Sequence, residues 1–164
     1  MRNSLFVLLW AMVGCTNIDC PLDNVVEMTC GLYKAEDESS FTLNTEMSVL
    51  SSNSQHVLLN NAKDISEFSL PVRHGVGKDT LLFCFSHVDG RSAVDTLFLR
   101  YTDHPHFESV DCPAALFHTL LEVQWTSHAL SIFPLTLDSV EIVRPIVNYD
   151  NVENIKIYLR STVN

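Results

Sequence analysis

Residues 102–108, with the sequence TDHPHFE, bring together side chains that could bind a metal ion. If the chain is extended there, His104 and His106 project to the same side, and Asp103 or Glu108 could complete the site. Pro105 between the two histidines instead favours a loop in which both imidazoles are solvated. We therefore predict no metal or other cofactor, and His104 and His106 are the candidate ligands if one binds.

The other chemical motifs that define common enzyme classes are missing from the sequence. It contains no G-x-S-x-G elbow, no H-E-x-x-H pair and no glycine-rich phosphate loop. His118 and His128 flank Trp125 in an apolar stretch, which is typical of hydrogen-bonded imidazoles at the edge of a core. The sequence thus predicts a protein that is not an enzyme.

The chain has five cysteines, whose surroundings differ. Cys20 and Cys112 are each followed by proline in polar stretches, and we predict a disulfide between them. Cys30 and Cys84 lie in apolar runs, where they could form a second disulfide or remain buried free thiols. No C-x-x-C is present, so neither a thioredoxin-like site nor a zinc ribbon is supported.

Cys15 follows an apolar run at residues 5–13, which one basic residue, Arg2, precedes. A helix of that length would span only about half of a bilayer's hydrocarbon core, so the run is typical of a signal peptide. Its end, Met-Val-Gly-Cys, resembles the bacterial lipobox, in which the cysteine receives a diacylglycerol. We predict a signal peptide at 1–14, lipidation of Cys15 and a tether at 15–24.

The residues after Cys15 bear on the membrane that would hold the protein. The next residue is Thr16 rather than Asp, and the following acids are isolated. We expect an anchor in the outer membrane with the domain on the periplasmic side, the inner membrane and the cell surface being the alternatives. A flexible tether of this length reaches about 15–18 Å, so the domain would stay close to the lipid.

The net negative charge of the chain argues against electrostatic binding of negatively charged partners. The chain has 10 basic and 20 acidic residues, a net charge of −10. Removal of residues 1–15 takes only Arg2 from this count and leaves −11. We therefore expect no nucleic-acid binding.

Apolar side chains alternate with polar ones along most of the remaining sequence, which is the pattern of half-buried strands. Gly, Pro, Asn, Asp and Ser separate these runs, and Asp89-Gly90 predicts the turn of a long hairpin. Residues 112–125 also have helical spacing, so a helical turn before a strand is an alternative there. The predicted strands are 25–34, 41–50, 56–60, 65–72, 79–88, 93–102, 116–126, 139–145 and 154–160.

Two alternating runs have especially clear inward faces. One face consists of Val26, Met28, Cys30 and Leu32, and the other of Phe41, Leu43, Thr45, Met47 and Val49. This many short strands predict an all-β fold, a single antiparallel β-sandwich, Ig-like or barrel-like, over residues 25–164, with little or no helix beyond the signal peptide.

Several segments together resemble an uncharacterised family of small lipoproteins from Bacteroidota. They are the lipobox, DCP after it, LPV in mid-chain, DTLFLRY in the hairpin, CP beyond it and DSVEIVRPIVNYDNVENIKIYL near the end. The resemblance implies no known activity or ligand.

Two functions remain open from the sequence. We expect a non-enzymatic membrane-anchored protein that docks on another envelope component, such as an outer-membrane protein. The alternative is a module that binds a small apolar ligand or a glycan. A pocket of several hundred Å³ would favour the ligand, and an exposed apolar patch would favour the protein partner.

Overall fold

The computed structural model describes residues 25–162, and every regular element in that range is a strand. This confirms the predicted all-β fold. No helix in the same range is long and apolar enough to cross a membrane. The strands are β1 Glu27–Lys34, β2 Glu46–Ser51, β3 Val57–Ala62, β4 Glu67–Pro71, β5 Lys78–Ser86, β6 Ser92–His106, β7 Ala115–Thr126, β8 Leu135–Ile142, β9 Ile146–Val147 and β10 Glu153–Ser161.

The strands form two sheets. The four-stranded sheet has the order β4-β1-β10-β8, and the six-stranded sheet has the order β3-β2-β5-β6-β7-β9. All neighbours are antiparallel except β1 and β10, which run parallel from the Thr29–Glu153 pair to the Lys34–Leu159 pair. The first and last strands therefore lie side by side in the middle of the smaller sheet.

The core is one cluster of buried apolar side chains contributed by both sheets. Phe68 of β4 packs edge-on against Phe83 of β5, with ring centroids 6.3 Å apart, so the two sheets are in contact. Both predicted inward faces, which begin at Val26 and at Phe41, are buried along their whole length. Burial of one such apolar side chain stabilises the folded state by about 1.5–3 kcal/mol. The buried apolar faces therefore supply most of the free energy that stabilises the fold.

The predicted hairpin is confirmed as β5 and β6, which pair from Lys78–Arg100 to Ser86–Ser92. Gly90 in its turn has φ of +86°, a conformation that favours glycine. The Asp89 carboxylate accepts hydrogen bonds from the N–H of Arg91 and from its guanidinium, which fixes the turn.

Several boundaries differ from the sequence prediction, since β2 begins at Glu46 instead of residue 41 and β6 continues to His106 instead of residue 102. Residues 115–126 form strand β7, not a helical turn, because β7 pairs with β6 along nearly its whole length. Strand β8 begins at Leu135 instead of residue 139. The segment after it, predicted as a break, contains the short strand β9, which pairs with β7 through Val147 and Ile146.

Candidate functional site

The candidate metal ligands each contact a different neighbour. His104 is hydrogen-bonded to Thr102 at 3.1 Å, whereas the ring of His106 stacks on Phe117. Asp103 occupies the alternate position of the same strand and binds His118 instead. No group of three His, Cys, Asp or Glu residues within 25–162 is placed so that it could hold a metal ion.

Pro105 lies within β6 and not in a loop, contrary to the sequence prediction. The strand is paired on both sides up to Arg100, but from Tyr101 to His106 only β7 pairs with it. Because proline donates no hydrogen bond, it is accommodated where one side of a strand lacks a neighbour.

Cys30 and Cys84 are free thiols, so the possible second disulfide is wrong. Cys30 is buried on the inward face of β1 in the four-stranded sheet. Cys84 alternates with the fully buried Phe83 and Phe85 of β5, which turns it to the outer face of the other sheet. Burial raises the pKa of both thiols, so both stay protonated at neutral pH.

The other cysteine predictions concern the N-terminal segment. Cys112, in the connection between β6 and β7, is not a free thiol. Cys15 and Cys20 lie outside the described residues. Lipidation of Cys15 and the disulfide between Cys20 and Cys112 therefore stay predictions.

Among residues 25–162, a cleft of about 320 Å³ that could hold a ligand lies between the end of β2, the start of β3 and the loop that joins β4 to β5. We call it the Asp79 cleft. Its surface is mainly apolar and includes Leu58, Pro71 and Val72. Its polar residues are the buried Ser51 and Asp79, Arg73, and the exposed Ser54 and His56. A larger hollow of about 420 Å³ has exposed Lys34, Glu36 and Asp37 in its wall, which water already solvates.

Strand pairing places the two inward-facing polar side chains of the Asp79 cleft close together. Ser51 is paired with Leu81 of β5, and the N–H of Ser52 donates to the carbonyl of Thr80. Ser51 follows Met47 and Val49 on the inward face of β2. Asp79 precedes Leu81 on the inward face of β5. Ser51 and Asp79 therefore point to the same side as the buried apolar residues of their strands, and they lie at the strand ends that line the cleft.

Asp79 is a buried carboxylate with few partners. Its side chain is 3% exposed, and Oδ1 accepts a hydrogen bond from the N–H of Thr80 at 2.9 Å. Nε of Arg73 lies 4.0 Å from the same oxygen, which makes a long ion pair. Burial raises the pKa of Asp79 above its ordinary value, against the opposing effects of these two partners.

Ser51 supplies a second buried polar group at the cleft. It is 3% exposed, and its buried Oγ has no hydrogen-bond partner within the described part of the chain. An unpaired buried hydroxyl costs about 1–3 kcal/mol, so such groups are uncommon in folded proteins.

The loop between β4 and β5, residues 72–77, carries one wall of the cleft and is fixed to β6. The hydroxyl of Tyr101 donates to the carbonyl of Arg73 at 2.6 Å, and the N–H of Tyr101 donates to Gly77 at 3.0 Å. The N–H of Gly75 donates to Asp103 at 2.6 Å. Both glycines have positive φ, 74° and 70°, which permits the sharp path of this loop.

The same Asp103 carboxylate binds His118, whose Nδ1 lies 2.7 Å from Oδ1. The prediction of a hydrogen-bonded core imidazole is confirmed for one nitrogen of His118, and likewise for His128, which binds Asp95. The Nε2 atoms of both rings are buried without a partner among the described residues. Neither pair therefore has a nucleophile hydrogen-bonded to it, and no catalytic triad is assembled in this region.

The sequence pattern contains a signal for the two buried polar residues of the cleft. Ser51 and Asp79 have the inward parity of their strands, so alternation alone predicts that both are buried. A buried carboxylate or hydroxyl at an inward position is a candidate polar contact for a ligand. The cleft itself depends on the meeting of two connections that are distant in sequence.

These features define an all-β domain with a small, mainly apolar cleft. The chain matches a family of unknown function, DUF6452, over residues 46–159, and it belongs to that family. Neither a curated protein nor a solved structure matches it.

Proposed function

We propose that this protein is a non-enzymatic binding module, anchored to a membrane by a lipid on Cys15, that holds a small, largely apolar ligand in the Asp79 cleft. The observation that supports the ligand is the cleft, a hollow of about 320 Å³ whose surface is mainly apolar. Ligand sites typically have about 300–1,000 Å³ and this composition, so the cleft suits a small molecule.

A matched pair of substitutions on β3 tests the ligand. Leu58 lines the cleft, whereas Val57, its neighbour, is 53% exposed and is not a lining residue. We expect 1-hexanol titrated into the purified protein to shift the amide resonances of residues 51–58 and 72–80. Leu58→Gln should weaken that binding at least fivefold, and Val57→Gln should leave it unchanged. Absence of saturable binding to the unsubstituted protein would contradict the function.

The anchor is the second component of the proposal. Lipid on Cys15 would place the domain on the periplasmic face of the outer membrane, as the residues after Cys15 suggest. Cys15→Ala should abolish incorporation of an alkyne fatty acid in cells, whereas Cys20→Ala should retain it. Failure of the unsubstituted protein to incorporate the label would exclude the anchor. Digestion by a protease added to intact cells would place the domain on the cell surface instead.

Docking on another envelope protein is the second candidate function, and an exposed apolar patch favours it. The outer face of the six-stranded sheet carries the pairs Leu50–Leu82 and Cys84–Val94 and, four residues after Val94 on β6, Phe98. Val94 is 51% exposed and Phe98 is 41% exposed. Exposed apolar side chains on one face of a sheet are candidate protein interaction sites.

Photo-crosslinking can separate this patch from ordinary exposed apolar residues. A photo-reactive residue at position 98 should yield a discrete adduct with an outer-membrane protein in native membranes. The same residue at position 110, where Val110 is 97% exposed in a loop, is the control. Equal adducts at both positions, or none at 98, would contradict docking through this patch.

A further inference from the structure

Ser51 and Asp79 leave unused hydrogen-bonding capacity in the same cleft. The Oγ of Ser51 is buried and has no partner in the described chain, although a hydroxyl can donate one hydrogen bond and accept others. The described contacts of Asp79 fall on Oδ1, from Thr80 and Arg73, and none is made by Oδ2. A ligand group here could therefore accept from or donate to Ser51 and donate to Asp79.

The charge of the cleft restricts that ligand group. Arg73 and Asp79 both line the cleft and offset each other at 4.0 Å, so this pair presents no net charge to a ligand. The negative charge of Asp79 would repel a carboxylate ligand, and the positive charge of Arg73 would repel an ammonium ligand. Ser54 and His56, which also line the cleft, are exposed, and the other lining residues are Ser51 and the apolar Leu58, Pro71 and Val72. Either ion would therefore lose hydration without a full counter-charge.

From these contacts we propose that the ligand of the Asp79 cleft is an uncharged molecule with an apolar chain and a hydroxyl group. The hydroxyl donates a hydrogen bond to the carboxylate of Asp79 and forms a second hydrogen bond with Ser51. This inference rests on the proposed ligand-binding function and adds the chemical class of the ligand. The apolar chain lies against Leu58, Pro71 and Val72, and the hydroxyl lies at the polar end of the cleft.

Four probes of similar size test the class of ligand at neutral pH by NMR titration or calorimetry. They are 1-hexanol, methyl pentyl ether, hexylammonium and hexanoate. The ether has the same composition as hexanol but cannot donate a hydrogen bond. We expect hexanol to bind about three- to tenfold more tightly than the ether, which is the usual value of one hydrogen bond, and both ions to bind more weakly than hexanol.

The outcomes separate this inference from the function on which it rests. Equal binding of hexanol and the ether would overturn the inference that the cleft recognises a hydroxyl group, while the proposed apolar ligand site would stand. Tightest binding of hexylammonium or hexanoate would overturn the uncharged class. Failure of all four probes to bind would contradict both the inference and the proposed function.

Ser51→Ala provides a second test with little risk to folding, because the hydroxyl that it removes has no hydrogen-bond partner among residues 25–162. The variant should lose about three- to tenfold in affinity for hexanol and nothing for the ether. The matched control is Thr45→Val, since Thr45 Oγ1 is also buried and unpaired but Thr45 does not line the cleft. Unchanged hexanol affinity in Ser51→Ala, or an equal loss in Thr45→Val, would overturn the role of Ser51.

Discussion

The carboxylate of Asp95 accepts two hydrogen bonds from His128, one from the backbone N–H at 2.6 Å and one from ring Nδ1 at 2.7 Å. Its other oxygen accepts from the hydroxyl of Thr136 at 3.1 Å and from the N–H of Leu137 at 2.8 Å. Asp95 belongs to β6 of the six-stranded sheet, and Thr136 and Leu137 belong to β8 of the other. One fully buried side chain thus joins the two sheets.

We predict that Asp95→Ala lowers the free energy of unfolding by roughly 3–5 kcal/mol, because four donors lose their acceptor and at least two of them stay buried. Chemical denaturation measures this value. Asp138→Ala is the control, since Asp138 pairs with the exposed Arg160 at the surface of β8 and should change stability by about 1 kcal/mol or less. A similar loss in both variants would contradict the role assigned to Asp95.

Period-two alternation predicted most strands and their inward faces from the sequence. Asp95 shares the buried parity of Ala93, Leu97 and Leu99, so its burial also follows from alternation. Its partners do not, because local pattern carries no information about which strands become neighbours. Thr29 and Asn154 show the same limit, since the N–H of Thr29 donates to the Asn154 side chain across a sequence separation of 125 residues.

The candidate site was less predictable than the strands for the same reason. The inward positions of Ser51 and Asp79 could be read from their strands. The missing partner of Ser51 and the distance between Arg73 and Asp79 could not, because both depend on how the loop between β4 and β5 lies over β2. His104 and His106 appeared promising because they are close in sequence, but each contacts a different neighbour.

Tyr101 fixes this loop through its hydroxyl, which is 2.6 Å from the carbonyl of Arg73. Burial raises the pKa of Tyr101 to about 12, so the phenol remains a donor at neutral pH. We predict that Tyr101→Phe lowers the free energy of unfolding by about 1 kcal/mol and accelerates amide exchange of Gly75 and Gly77. Tyr158→Phe is the control, and equally fast exchange in both variants would show that Tyr101 does not hold the loop.

His118 makes stability depend on pH. Burial lowers its pKa below the ordinary value of 6.5, and His74 and His104 act in the same direction, whereas Asp103 opposes them. Tyr101 faces the ring edge-on and is neutral at these pH values. The folded protein then binds fewer protons than the unfolded chain below about pH 6.5, so the His118 contribution to stability is complete above that pH and falls as the pH decreases.

Replacement of His118 by glutamine isolates that contribution, because glutamine can still donate to Asp103 but does not titrate. We predict that unfolding free energies measured from pH 7 down to 5 decline less steeply in His118→Gln than in the unsubstituted protein. His87→Gln, in the exposed turn between β5 and β6, should keep the original slope. An unchanged slope in His118→Gln would contradict the prediction.

The predicted disulfide between Cys20 and Cys112 should also affect stability. A bridge that closes a loop of this length would stabilise the fold by about 4 kcal/mol in the chain-entropy model. Cys20→Ser should lower the melting temperature, and non-reducing peptide mapping should recover the two cysteines in one linked species. Cys84→Ser is the control, because Cys84 is a free thiol, and it should leave the map unchanged. Recovery of Cys20 and Cys112 as separate free thiols would exclude the bridge.

Asp79 should reduce the stability of the protein in order to present a carboxylate to the cleft. Its pKa is raised above the ordinary 3.8, mainly by burial, so the folded state holds this proton more tightly than the unfolded chain. Ionisation therefore costs the folded protein stability as the pH rises above about 3.8. We predict that Asp79→Asn, which keeps an acceptor for the N–H of Thr80, is more stable than the unsubstituted protein at pH 7. The difference should disappear below about pH 3.8, and denaturation at both pH values measures it.

Asp37→Asn is the control, because Asp37 is fully exposed and its pKa is lowered by hydrogen bonds from Ser39, so this change should decrease stability at pH 7. A loss of stability at pH 7 in Asp79→Asn would mean that Arg73 and Thr80 more than compensate the carboxylate, leaving Asp79 a structural residue instead of one held available for a ligand.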